Sequence, residues 1–238
     1  MTRFFDNVLE LIFPSKTKCI VCGSDLAKQN PLCVCSNCEK TMPYIGGKLC
    51  LKCGEPILKE DFCKRCKLKS FSFNVARQNF FYVPPISNLI KKLKYNNAKY
   101  LAKPFAHFLA KNYYELGCSS DIVTFVPQDE HKQFLRGYNQ SKLIAQHLSN
   151  IIGVKLFGTT FKTKNTPSQV GLSYKEREQN LKDCFCLCKN VNVSNKKIVL
   201  VDDVFTTGAT AESISKELKK AGAKEIVVLT LAKSKFST

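Results

Sequence analysis

Asp202 and Asp203 stand side by side where an apolar run, residues 198–201, comes to an end. A small, hydroxyl-rich stretch, Thr206-Thr207-Gly208-Ala209-Thr210, follows directly. The apolar run fits a strand buried on both faces of a parallel sheet, and residues 211–221 read as a helix. A helix start leaves backbone N–H groups without intrahelical acceptors and carries the positive end of the helix dipole, so it attracts anions. Gly208 lets the backbone approach a phosphate closely, and the threonines add hydroxyl donors. The carboxylates repel a phosphate but accept hydrogen bonds from hydroxyl groups beside it. Strand, acidic pair, small loop and helix start therefore suit a sugar phosphate. Two other readings use the same residues. One is an ordinary strand–turn–helix with an exposed acidic turn. The other is a Walker-B acid, which needs a G-x-x-x-x-G-K-[ST] partner loop that the chain lacks.

A second chemistry lies near the N-terminus. Eight of the 13 cysteines form four C-x-x-C pairs: Cys19 and Cys22, Cys35 and Cys38, Cys50 and Cys53, Cys63 and Cys66. The pairs are separated by 12, 11 and 9 residues. Each C-x-x-C aims two thiolates at one ion, and two such turns complete a tetrahedron. With four protein ligands per ion, the zinc is structural, one or two ions per chain. Pairing in sequence is the simplest topology; crossed pairing satisfies the same spacing, and Cys33 is a spare thiol. A redox dithiol is the weaker reading, because four pairs exceed what such a switch needs. Cys184, Cys186 and Cys188 alternate along a strand face and lack knuckle spacing.

The elements that hold these groups follow from periodicity. Phe4, Phe5, Val8, Leu9 and Ile12 have helical spacing, and Pro14 ends them. Lys64, Arg65, Lys67 and Lys69 make a basic knuckle, read equally as a phosphate contact or a solvated hinge. Residues 79–83 read as an edge strand, and Ile86, Leu89, Ile90 and Leu93 as the apolar face of a helix. A helix over 100–115, a strand over 121–126 ending at Pro127 and Gln128, and a helix opening at Arg136-Gly137-Tyr138-Asn139-Gln140 come next. A strand follows over 154–160, then a long polar loop over 162–180, which suits a hood that closes over a ligand or a disordered linker. A buried strand over 225–232 closes the chain, with Gly222 as the helix cap before it.

The chain has 238 residues and a formal charge of +18. Two Zn²⁺ ions on eight thiolates would bring that to about +14. Such a balance suits a polyanionic partner, though high lysine usage in the host is an alternative. Lys91, Lys92, Lys94, Tyr95 and Lys99 interleave cations with aromatics, which suits single-stranded nucleic acid; an ordinary polar helix face is the competing reading. No apolar run is long enough to span a bilayer, and Asp6 and Glu10 interrupt the N-terminal apolar segment, so a cytoplasmic location is expected.

The stretch VLVDDVFTTGAT resembles the PRPP-binding loop of type I phosphoribosyltransferases. From end to end, the order of the four C-x-x-C pairs, LIKKLKY, RGYNQ, TPSQVGLSYKEREQNLKDCF and VDDVFTTGAT resembles the ComF/GntX family of competence-associated proteins. The resemblance implies an α/β fold: a parallel-sheet type I phosphoribosyltransferase-like core (71–238) behind a small N-terminal zinc-ribbon module (1–70). It implies PRPP on Asp202, Asp203, Val204, Thr206, Thr207, Gly208, Ala209 and Thr210, with Asp202 and Asp203 catalytic if chemistry occurs, and Mg²⁺ arriving with PRPP. Pro127, Gln128, Arg136, Gln169, Arg177 and Asn180 are the expected pyrophosphate and hood contacts. One departure from the family is at the first strand end, where V-P-L is usual and Val126-Pro127-Gln128 stands here, followed by Asp129 and Glu130. The implied role is natural transformation: binding incoming single-stranded DNA in the cytoplasm, with competence or recombination proteins at the inner face of the membrane. The alternative is an active phosphoribosyltransferase of nucleotide or salvage metabolism with no DNA role.

Overall fold

Residues 197–205 and 225–233 each carry a run of four apolar residues, and in the computed structural model they are the two central strands. The structure describes residues 18–26, 30–163, 184–189 and 191–234. These fall into two compact units, Met1–Met42 and Pro43–Thr238. The N-terminal helix read at residues 4–12 and most of the loop over 162–180 lie outside the described residues.

In the smaller unit a short helix, α1 (Ser36–Glu39), starts at Cys35. The chain turns at Cys19 and Cys22, where the Gly23 amide donates to the Cys19 carbonyl at 2.9 Å.

The larger unit begins with a second turn of the same kind. The Gly54 amide donates to the Cys50 carbonyl at 3.0 Å, and a five-residue helix, α2 (Lys64–Leu68), follows Cys63. Gly54 has φ +69°, and a Cβ there would meet Gln78 Oε1 at 2.8 Å and the Ala76 carbonyl at 2.9 Å. Only glycine fits this close approach of two backbones.

The core is a four-stranded, all-parallel sheet. Its strands are β1 (Val75–Phe81), β2 (Ile122–Phe125), β5 (Lys197–Phe205) and β6 (Glu225–Lys233), in the order β1-β6-β5-β2. β5 and β6 are buried along almost their whole length, as strands covered on both faces must be. One face holds Ile198, Leu200, Ile226 and Val228 and packs on Ile214 and Leu218 of α7 (Ala209–Lys220), on Phe185, and on Cys50, Cys53, Phe71 and Phe73. The second cysteine module is therefore part of this core. α4 (Ala102–Glu115) and α6 (Gln140–Ile152) pack on each other and on the sheet.

α3 (Ile86–Tyr95) buries Ile86, Leu89, Ile90 and Leu93. α5 (Glu130–Arg136) links β2 to α6. The strand expected over 154–160 is a single parallel bridge, Val123 to Leu156. Beyond it the chain leaves the sheet, and β3 (Thr160–Lys162) pairs antiparallel with β4 (Phe185–Leu187). Gly222, with φ +87°, follows α7 as expected.

Candidate sugar-phosphate site and cysteine clusters

The carboxyl ends of β5 and β2 and the starts of α6 and α7 meet at one edge of the sheet, where open α/β sheets bind ligands. β5 delivers Asp202 and Asp203 there. The chain then turns through 206–208 into α7, with Gly208 at the N-cap and φ +79°. A Cβ on Gly208 would lie 2.7 Å from Phe205 Cζ, so side-chain room and backbone conformation both demand glycine. Thr207 Oγ1 accepts from the Ala209 amide at 3.3 Å. Glu212 lies in the first turn of α7.

The structure separates two acids that the sequence treats alike. Asp203 is buried, and both its oxygens are engaged: Oδ1 accepts from Lys94 Nζ at 2.8 Å and Oδ2 from Gln140 Nε2 at 2.7 Å. Asp202 is half-buried, and its Oδ1 accepts from Ser141 Oγ at 3.0 Å and from the Asp203 amide at 2.9 Å. Burial, then the neighbouring Asp203 charge, pushes the Asp202 carboxyl well above the ordinary carboxylate range. For Lys94, burial alone would favour the neutral amine. The Asp203 charge and hydrogen bond outweigh it and hold the ammonium above its usual value. Asp202 is thus the acid with accepting capacity left over, and Asp203 the acid fixed by protein.

Lys94 points inward to this pair, so it does not share the exposed face of Lys91, Lys92, Tyr95 and Lys99. The spacing held the signal, since position 94 is four residues beyond buried Ile90 on the same side of α3. Arg136 stands two hydrogen bonds from the acidic pair, through Gln140. Its guanidinium donates to Gln140 Oε1 and stacks over the Tyr95 ring, 5.3 Å from the centroid. Tyr138 donates to the Leu93 carbonyl, and Lys99 Nζ lies 5.0 Å from the Tyr138 ring centroid. Gln140 and Ser141, for which sequence reasoning gave no role, are the groups that α6 contributes.

Pro127 and Gln128 lie in the loop after β2. That loop is held by the Val126 amide on the Val201 carbonyl at 3.0 Å and by Asn139 Nδ2 on the Val126 carbonyl at 3.0 Å. The unexpected acid beside them, Asp129, is buried and pairs with Lys162 at 3.8 Å, so its charge is balanced inside the protein. Gln169, Arg177 and Asn180 lie outside the described residues.

The eight cysteines gather as two groups of four: Cys19, Cys22, Cys35 and Cys38, and Cys50, Cys53, Cys63 and Cys66. In each, all four sulfurs lie within 4.8 Å of one another. Cys22 and Cys35 Sγ are 3.7 Å apart, as are Cys53 and Cys63 Sγ. A tetrahedral ZnS₄ centre with bonds near ~2.3 Å requires sulfurs about 3.8 Å apart, so the residues fit zinc. Sulfur electrostatics agree. Hydrogen bonds from Ser24 and Cys66 draw the Cys22 and Cys53 thiols down. Burial pushes the Cys38 thiol up, and the hydrogen bond with Cys53 does the same to Cys66. Four thiols this close ionise together only around a cation. The pairing is sequential, and Cys33 belongs to neither group.

Residues 8–67 match the double zinc ribbon domain family, and residues 139–237 match the phosphoribosyl transferase domain family. Competence protein F of Haemophilus influenzae is 34% identical, over 91% of this chain and 97% of that one. The chain belongs to the competence protein F family. DNA utilization protein YhgH of Escherichia coli K12 is 30% identical, over 84% of this chain and 90% of that one. Competence protein ComFC of Streptococcus pneumoniae is 27% identical, over 91% and 100%. This competence protein F relative thus joins a parallel-sheet phosphoribosyltransferase-like core to a cysteine-rich zinc module. Among the described residues no helix is long and apolar enough to cross a membrane.

Proposed function

We propose that this chain binds PRPP at the end of β5 and uses that site in handling single-stranded DNA during natural transformation, in the cytoplasm. The observation that carries the reading is the division of labour at 202–208. A half-buried carboxylate stands at the end of β5, just before the loop that leads into a glycine-capped helix start, while its neighbour is neutralised by Lys94. The 5-phosphate would rest on the amides of 207–210, and the ribose hydroxyls would donate to Asp202. Arg136 is the cation on the pyrophosphate side, a bidentate donor once freed from Gln140. Mg²⁺ would arrive bound to the pyrophosphate, mostly through water. If the bond to pyrophosphate breaks, positive charge grows on the ribose C1, and the Asp202 carboxylate stabilises it.

The names of the relatives support the DNA role, since competence and DNA utilization are what those proteins are called. The exposed Lys91, Lys92, Tyr95 and Lys99 supply cations and a stacking surface beside the site. Competence or recombination proteins at the inner face of the membrane are the partners this role would require.

Thermal unfolding with and without PRPP and Mg²⁺ tests the first half. Wild type should be stabilised, because a ligand bound only by the native state raises the melting temperature, and Asp202→Ala should not be. An unchanged wild-type melting curve at saturating PRPP would reject the reading.

A further inference from the structure

The second cysteine cluster reaches into the sugar-phosphate loop. Arg65 stands between the ligands Cys63 and Cys66, and its Nη1 donates to the Thr207 carbonyl at 3.0 Å. The Arg65 guanidinium also lies over the Phe71 ring, 5.6 Å from the centroid. A little farther on, Ser72 grips the helix that follows the loop: its amide and hydroxyl donate to the two Glu212 oxygens at 2.7 and 3.0 Å. Phe73 packs edge-on against Phe205, the ring that floors Gly208, with centroids 6.2 Å apart. Lys233 Nζ lies 4.9 Å from the centroid of that ring and pairs with Glu55 at 2.9 Å, two residues past Cys53.

From these contacts we propose that the second zinc knuckle is the positioning element of the sugar-phosphate loop, with Arg65 as the positioning residue and Ser72 as its second tether. The proposal rests on the PRPP reading for its function, but not for its geometry. A trans peptide sends its C=O and its N–H in opposite directions. Arg65 holds the Thr207 carbonyl toward the knuckle, so the Gly208 N–H faces away from it, as a phosphate-binding amide must. Because Arg65 is flanked by two ligands, the ion fixes its backbone, and the loop inherits that fixation. Glu212, held by Ser72, anchors the first turn of α7 in the same way.

The test uses full-length, zinc-loaded protein and the variants Arg65→Met, Ser72→Ala and, as a control on the same helix, Lys67→Met. Hydrogen exchange of the 205–213 amides is measured without ligand, zinc content is counted, and PRPP affinity is titrated. Loss of one charge-assisted hydrogen bond should speed loop exchange and weaken PRPP binding, each by roughly tenfold, in Arg65→Met. Ser72→Ala, which removes the hydroxyl hydrogen bond to Glu212 and keeps the amide one, should speed exchange at 209–213 to a smaller extent. Lys67→Met, whose ammonium pairs with Glu60, should match wild type.

If Arg65→Met loses an ion, Ser72→Ala, which leaves the ligands and their flanks intact, decides the matter alone. Loop exchange equal to wild type in the zinc-retaining variants would overturn the proposal. Faster loop exchange in the variants, beside a wild type that takes no PRPP, would leave the proposal standing and reject the sugar-phosphate reading instead. A wild type that binds PRPP, with tethered-residue variants that bind it equally well, would do the reverse.

Discussion

Asp202 and Lys94 make opposite demands on the same few ångströms. The native state holds the Asp202 proton more tightly than the unfolded chain does. That preference stabilises the fold fully below the unfolded value, about pH 4, and is lost as pH rises through the raised native value. Asp202→Asn removes the loss. The variant should therefore be more stable than wild type at about pH 8 and converge with it below about pH 4, as urea titrations at the two pH values would show. PRPP affinity runs the other way. It needs the ionised carboxylate, so in wild type it should fall as pH drops, beginning at a higher pH than an ordinary aspartate would give. A site acid that weakens its own fold is a common sign of function.

Lys94→Met should cost about 3 kcal/mol in the same titration, because it strands the buried Asp203 charge, and Lys94→Met/Asp203→Asn should recover part of it. The acidic pair was legible in the sequence because two adjacent carboxylates before a small-residue loop have few other uses. Lys94 falls in with its exposed neighbours in the sequence, since a cation at a border position of an amphipathic helix reads as surface until its partner, 109 residues away, is seen.

At the scale of elements, periodicity foretold the sheet and its helices well. β5 and β6 are near-continuous apolar runs, and α3 shows its buried face plainly. Residues 154–160 read as a strand on composition, yet only Leu156 bridges the sheet, because the chain swings off to pair Thr160–Lys162 with Phe185–Leu187. Such a departure is decided by distant partners and leaves no local trace. The loop before α7 was legible, and its supports were not. Arg65 read as an ambiguous basic knuckle, and nothing local links it to Thr207, 142 positions on. Gly208 makes the element-scale test. Alanine there would meet Phe205 and a strained φ together, at a cost of roughly 1–3 kcal/mol. Gly208→Ala should lower the melting temperature and abolish PRPP-induced stabilisation, whereas Gly222→Ala, remote from the site, should lower only the first.

At the scale of the molecule, the two cysteine clusters should have unequal consequences. Cys50 and Cys53 are fully buried in the same cluster as Phe73 and Ile214, so the second ion belongs to the core of the larger unit. Structural zinc contributes ~10–16 kcal/mol in small peptides, more than most domains can lose. Cys53→Ser should unfold the larger unit, and Cys22→Ser should leave its far-ultraviolet spectrum and PRPP response in place.

The strong positive charge, legible from composition alone, makes its own test. Binding to single-stranded DNA should weaken with salt, and Lys91→Ala/Lys92→Ala/Lys99→Ala should reduce the slope of log affinity against log salt by about 2. Lys94 contributes nothing to that slope, because its charge is already spent on Asp203.

On the proposed function, a sugar phosphate docks on the glycine-capped start of α7 with its hydroxyls on Asp202. Isothermal titration of the zinc-loaded protein with PRPP and Mg²⁺ tests it most directly. One saturable site per chain in wild type, absent in Asp202→Ala while that variant keeps its fold and both ions, is the expected result. No heat from folded, zinc-loaded wild type, or equal binding by Asp202→Ala, would contradict it.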